Sequence, residues 1–200
     1  MTKRLYYAAP SLLEFRAVVT AIRRTAEGVA LVLDQTAFHP EGGGQPADHG
    51  YLGPHRVVNV TSDAEGSILH WVEPGDQPLP AVGTRLQGQV AADRRRDHMQ
   101  QHSAQHLLSQ AFVRLYDWQT VGFHLGTNTV TIDLSTSRAE WAQLLAAEAL
   151  ANNVVFQNLP LKINIYRSPE EVPAELRGPR EILTEGSWRR GLRVVAFGDF

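Results

Sequence analysis

No cysteine occurs anywhere in the 200 residues. That excludes a disulfide framework and any thiolate metal ligand, so a metal held by this chain would have to use histidine and carboxylate. Long apolar runs are missing as well. None approaches the roughly 18 residues that a membrane span needs, and the start MTKRLYYAAP lacks the apolar core of a signal peptide. A cytoplasmic protein is therefore expected. There is no excess of positive charge either: 19 Lys and Arg stand against 21 Asp and Glu, a formal net charge of −2. This argues against a broadly basic nucleic-acid binder and leaves room for a local basic patch. Internal repeats and low-complexity tracts are absent. What is present is an ordinary globular composition, 43% hydrophobic and 20% charged, in a chain long enough for one large domain or two small ones.

Residues 1–92 read as β-structure. Phe15–Ile22, Val29–Asp34, Arg56–Val60, Ser67–Val72 and Thr84–Val90 are short, rich in Val, Leu and Ile, and separated by Gly, Pro and Asp. Strands of this length and spacing close into a small barrel or sandwich. One stretch breaks the pattern: Thr36 to Gly50, TAFHPEGGGQPADHG. Three consecutive glycines make sense where a chain turns tightly or approaches a ligand closely; a long hairpin loop is the alternative. From residue 93 onward the order changes to helix, two strands (Thr120–Leu125, Thr129–Leu134), helix (Arg138 to Asn152), strand (Leu161–Tyr166), short helix (Pro169–Arg177), loop and strand (Leu192–Phe197). That is an α+β order, so the fold class expected is an all-β small barrel, residues 1–92, followed by an α+β domain, residues 93–200. Ser137 with Glu140 reads as a capping box for the second helix.

The helix expected first, Arg94 to Leu115, repeats apolar residues Met99, Ala104, Leu107, Leu108, Ala111, Phe112 and Leu115 at three- and four-residue steps. Asp93 is a plausible N-cap for it. His102 and His106 lie four apart, which stacks two side chains on one helix face. Two imidazoles so placed can share a zinc ion; the alternative is one packed and one solvated histidine. His98 is four residues earlier, yet over eight residues the direction drifts by roughly 80°, so three histidines on one ion are not expected. Zinc proteases with this spacing need Glu directly after the first His. Ser103 stands there, which excludes that chemistry. Arg94, Arg95 and Arg96 form either a solvated helix start or a phosphate contact, three positive charges there opposing the helix dipole.

Taken together, TAFHPEGGGQPADHG, RRRDHMQQHSAQHLL, TVGFHLG with TIDL, and LRVVAFGDF resemble the freestanding AlaX-type alanyl-tRNA editing proteins, relatives of the editing domain of alanyl-tRNA synthetase. The match runs in order over nearly the whole chain. The resemblance implies a β-barrel carrying the Gly-rich loop, then the editing domain shared by threonyl and alanyl synthetases. It implies hydrolysis of the ester joining Ser or Gly to the 3′ end of alanine tRNA. Carried over by position, the zinc ligands fall on His102 and His106, and the Gly-rich loop near the pocket on Gly42, Gly43 and Gly44. Gln45 follows that loop, and Ser103 and Gln105 stand where the family lines its pocket; these three are candidates for hydrogen-bonding the serine hydroxyl. His124 and His39 lie in motif stretches and could approach the pocket, with a structural role the other reading. Arg189 and Arg190, beside Trp188, join Arg94 to Arg96 as expected contacts to the tRNA(Ala) acceptor stem.

The family completes its zinc site with a Cys-x-x-x-His pair shortly after GDF, and this chain ends at Phe200. The expectation is a fragment truncated before that pair, with zinc (Zn2+) occupancy weak or absent. A degenerate RNA-binding module with the same fold is the second reading. An unrelated two-His metallohydrolase is a third, disfavoured by the Gly-rich loop and the motif order.

Overall fold

The computed structural model of the chain describes residues 1–126, 129–173 and 192–198. They cluster into two compact units: Met1–Ser109 with Trp118–Thr136, and Gln110–Asp117 with Ser137–Phe200. The sequence-based division at residue 92 is a different cut. It follows the change from strands to helix, whereas the first compact unit also takes in the start of that helix and the hairpin behind it.

In the first unit, β1 (Lys3–Arg4) pairs in parallel with β4 (Gln35–Thr36) beside a closed barrel. The barrel comprises β2 (Glu14–Thr25), β3 (Gly28–Leu33), β5 (Gly50–Leu52), β6 (His55–Ser62), β7 (Ile68–Val72) and β8 (Arg85–Val90). All neighbours are antiparallel, in the order β2-β3-β7-β6-β5-β8, with β8 closing on β2. Five of the six strands lie over stretches with visible strand character. The other, β5, has three residues and so no periodic signal. Burial alternates along β2, with Phe15, Ala17 and Val19 inside and Glu14 and Arg16 outside, as a two-residue period demands. Leu31, Leu33, Leu52, Val57, Val60 and Ile68 also belong to the core.

The Gly-rich stretch is part of that core at its start. Phe38 is fully buried among barrel residues, its ring 5.8 Å from Phe15 and 5.5 Å from the His70 imidazole. His70 is itself fully buried. Its Nδ1–H donates to Leu31 O (2.9 Å) and its Nε2 accepts from the Thr36 hydroxyl (2.8 Å), which in turn accepts the Phe38 N–H (3.1 Å). Both ring nitrogens are satisfied in the neutral form.

Helix α1 (Ala92–Tyr116) starts two residues earlier than expected, so Asp93 lies inside its first turn and is not the cap. The hairpin of β9 (Thr120–Leu125) and β10 (Val130–Leu134) follows. In the second unit, α2 (Trp141–Phe156) buries Ala147, Ala151 and Val154, a narrow stripe at four- and three-residue steps. Its capping box is built by Glu140 and Gln143. The Ser137–Glu140 box expected from the sequence is displaced by three residues, because Glu140 itself takes the cap position. β11 (Leu161–Tyr166) pairs antiparallel with β12 (Leu192–Phe197). The short helix expected over Pro169–Arg177 is a single 3₁₀ turn at Pro169–Glu171, and its remainder from residue 174 lies outside the described residues. No helix among the described residues is long and apolar enough to cross a membrane.

Candidate functional site

Every described residue of the site belongs to the first compact unit. Gly42 and Gln45 exchange backbone hydrogen bonds (3.0 and 3.1 Å) around Gly43 and Gly44, whose φ values are +58° and +78°. Positive φ at both central positions is the pattern of a type I′ turn, which glycine adopts without steric cost. Gly44 is held on its other side by β9: its carbonyl accepts the Leu125 N–H at 2.9 Å. A Cβ on Gly44 would lie 2.6 Å from Phe123 O and 2.8 Å from the Phe123 ring, whereas one on Gly43 would meet nothing within 4 Å. The two glycines are thus required for different reasons, one for the turn alone and the other also for close approach.

The tip of this turn sets Gln45 against α1. The His102 Nδ1–H donates to Gln45 Oε1 at 2.7 Å, which fixes the tautomer and turns the Nε2 lone pair toward His106. His102 Nε2 lies 2.9 Å from His106 Nε2. The rings do not point apart; their nitrogens converge. Two Zn–N bonds of about 2.05 Å at a tetrahedral angle would hold such nitrogens about 3.3 Å apart, so a small ring adjustment would admit the ion. In kind and convergence the pair fits two ligands of a zinc site. No group of three or more His, Cys, Asp or Glu that could hold a metal is found among the described residues.

A buried ion pair fastens the loop to the helix. Asp48 accepts the His39 N–H (2.6 Å) and returns its own N–H to His39 O (3.0 Å), closing the neck of the loop. Across that neck the Arg95 guanidinium donates to both Asp48 oxygens, to Pro10 O (2.6 Å) and to Ala37 O. The two side chains are 5% and 0% exposed. Arg94 adds Nε to Ala47 O (2.8 Å). His39 is half-buried against Tyr6, ring centroids 4.9 Å apart, with Nδ1–H on Pro40 O. Burial pushes its pKa down, outweighing the Asp48 carboxylate. Buried His98 is held below the ordinary imidazole value by desolvation first and by the Arg94 guanidinium second.

The structure therefore gathers the turn of Gly42, Gly43 and Gly44 with Gln45, His102 and His106, and distributes the other sequence candidates elsewhere. Arg95 is not presented to a phosphate, since its guanidinium is consumed by Asp48 and by the Pro10 and Ala37 carbonyls. Gln105 is 7% exposed, and its amide donates to Ser109 Oγ (2.8 Å), which also receives the Thr120 hydroxyl (2.6 Å); it ties α1 to the hairpin. Ser103 is half-buried, one residue and about 100° around the helix from His102. His124 is exposed on β9 between Phe123 and Leu125, so it projects from the other face of the hairpin. Arg96 is exposed. Arg189, Arg190 and Trp188 lie outside the described residues. Sequence reasoning missed Phe123, whose ring centroid is 6.0 Å from that of His102. A register shift in the hairpin, where Leu134 pairs with Thr120 and Asp133 with Gly122, leaves Val121 unopposed. The extra residue allows both Thr120 and Phe123 to face α1.

No family model matches the chain. It is 32% identical over 203 residues to the alanyl-tRNA editing protein AlaX-L of Pyrococcus horikoshii, an alignment taking in 100% of this chain and 48% of that protein. It is 33% identical over 175 residues to the alanyl-tRNA editing protein AlaX-M of Methanosarcina mazei, covering 83% of this chain and 67% of that one. Against the alanine–tRNA ligase of Haloquadratum walsbyi the identity is 35% over 167 residues, 80% of this chain and 18% of the ligase. The chain thus spans about half the length of the AlaX-L relative and less than a fifth of the ligase.

Proposed function

The chain belongs to the family of alanyl-tRNA editing proteins, and from that membership we propose that it is an aminoacyl-tRNA deacylase. It acts in trans in the cytoplasm, hydrolysing the ester that joins serine or glycine to the 3′ end of alanine tRNA. The fold it uses for this is the editing domain common to threonyl and alanyl synthetases, following a barrel in the sequence. The observation that carries the reading is the convergence of His102 Nε2 and His106 Nε2 at 2.9 Å beneath a loop clamped by Arg95 and Asp48.

His102 and His106 would hold a zinc ion, which supplies Lewis-acid polarisation of the ester and a lowered water pKa when bound. The chain's own residues do the rest. Gln45 fixes the His102 ring through Oε1, and its Nε2 keeps two N–H donors for the substrate. Directed at a serine hydroxyl, these donors provide a ground for preferring serine over alanine, since sites built to bond a hydroxyl reject analogues lacking it by roughly 10⁴–10⁵. Ser103 is the second candidate for that bond. The Arg95–Asp48 pair holds the loop in register with the helix. Arg96 and Arg94, with Arg189 and Arg190, are proposed to face the acceptor-stem phosphates.

Measuring amino-acid release from alanine tRNA charged with serine, glycine or alanine tests this. Serine or glycine should be released at least about 100-fold faster than alanine; equal release of all three would defeat it. A second reading, a tRNA-binding module without catalysis, is favoured by the lack of a third metal ligand among the described residues. Binding of the tRNA with no release of any amino acid selects it. Zinc held by the chain is proposed to be sub-stoichiometric after dialysis, and metal analysis finding one tightly held zinc per chain would contradict that.

A further inference from the structure

Resting on the deacylase reading, we propose that Phe123 is the wall that sets the upper size limit of the amino acid admitted. Among the described residues, imidazole, amide and glycine groups meet at the histidine pair. Phe123 is a large apolar side chain beside them, its ring 6.0 Å from the His102 ring and inclined at 60°.

That ring is held in place. Gly44 packs so closely on it that a Cβ there would sit 2.8 Å from Cδ1 and 2.6 Å from the Phe123 carbonyl oxygen. The Leu125 N–H to Gly44 carbonyl bond (2.9 Å) fixes strand and turn together, and Phe123 is paired with Ile132 across the hairpin. The turn itself is tied to α1 through Gln45. A wall seated between the turn and the helix cannot retreat to admit a bulkier acyl group without moving the element that orients His102. An apolar surface of this kind discriminates weakly between serine and alanine, whose separation needs the hydroxyl contact. It discriminates by size: one extra methyl or methylene against a packed wall is worth roughly 10–200-fold.

The test compares ratios within each protein, using alanine tRNA charged with glycine, serine or threonine and the whole chain as wild type, Phe123→Ala and Phe123→Trp. Wild type should release serine at least about tenfold faster than threonine. Phe123→Ala should bring threonine release to within about threefold of serine, and Phe123→Trp should lower serine relative to glycine by about tenfold, because the acyl pocket is widened in one and narrowed in the other. Incomplete folding scales both rates of a ratio equally, so it does not imitate these shifts. Ratios in both variants within about twofold of wild type overturn the inference while leaving the deacylase intact. A wild-type chain that releases no amino acid overturns the deacylase reading, and this inference with it.

Discussion

His70 lies at the centre of the barrel with no exposure, and burial lowers its pKa from the ordinary 6.5 to about 4. In the unfolded chain the same ring binds a proton near its ordinary value. Between those two values the unfolded state therefore holds more protons than the folded one, so stability falls as pH drops through that window and levels off below it. Taken alone, the shift corresponds to about 2.5 kcal/mol lost between pH 7.5 and 4.5. His39, His49 and His98 are shifted in the same direction, each chiefly by desolvation, and add to the loss. Urea unfolding at the two pH values should show this fall, and an unchanged unfolding free energy would contradict the burial. The Arg95–Asp48 pair allows a second check. Removing one partner of a buried pair strands the other charge, at a cost of about 3–5 kcal/mol. Arg95→Met should lower unfolding stability by that amount, and Arg95→Met with Asp48→Leu should recover part of it, the His39 N–H having lost its Asp48 acceptor. A single variant within about 1 kcal/mol of wild type would mean that the pair is solvated. No sequence pattern pointed to this pair, because its members are 47 residues apart and each reads locally as an ordinary surface charge.

At the scale of elements, the turn makes a sharp distinction between neighbouring glycines. Ala at Gly43 meets open space and carries only the left-handed backbone cost, roughly 1–2 kcal/mol. Ala at Gly44 carries that cost and must also displace the Phe123 carbonyl. Gly44→Ala is expected to depress serine release at least tenfold more than Gly43→Ala, measured on folded protein; equal effects would show that the turn does not rest on β9. The helix was only partly legible. Its apolar stripe was the visible signal, yet Met99 and Leu115 are 39% and 41% exposed while Arg95, His98 and Gln105 are buried. Hydrogen bonding by Arg95 and Gln105 turns polar residues inward, which a count of apolar residues cannot foresee. The four-residue histidine spacing survived because it depends only on helix geometry. The facing of β9 did not: a one-residue register shift exchanges the roles of adjacent side chains, so His124 in the motif drew attention that belongs to Phe123.

For the molecule as a whole, a barrel followed by a helix-containing α+β region was readable from the change in periodicity near residue 92. The grouping into compact units was not, because hydrogen bonds and packing that join the early helix and the hairpin to the Gly-rich loop leave no local mark. The net charge of −2 means that the proposed tRNA binding would rest on local contacts such as Arg96. With the four proposed phosphate contacts, affinity should fall about 150-fold between 50 and 200 mM salt. Binding that does not change with salt would remove the arginines from the interface.

Serine release from serine-charged alanine tRNA by wild type, His102→Ala and His106→Ala probes the paired nitrogens most directly. Each substitution should lower the rate at least about 100-fold, the scale of a lost catalytic side chain, while circular dichroism and thermal midpoint stay near wild type. Folded variants that release serine at the wild-type rate would show that the two imidazoles do not form the catalytic centre.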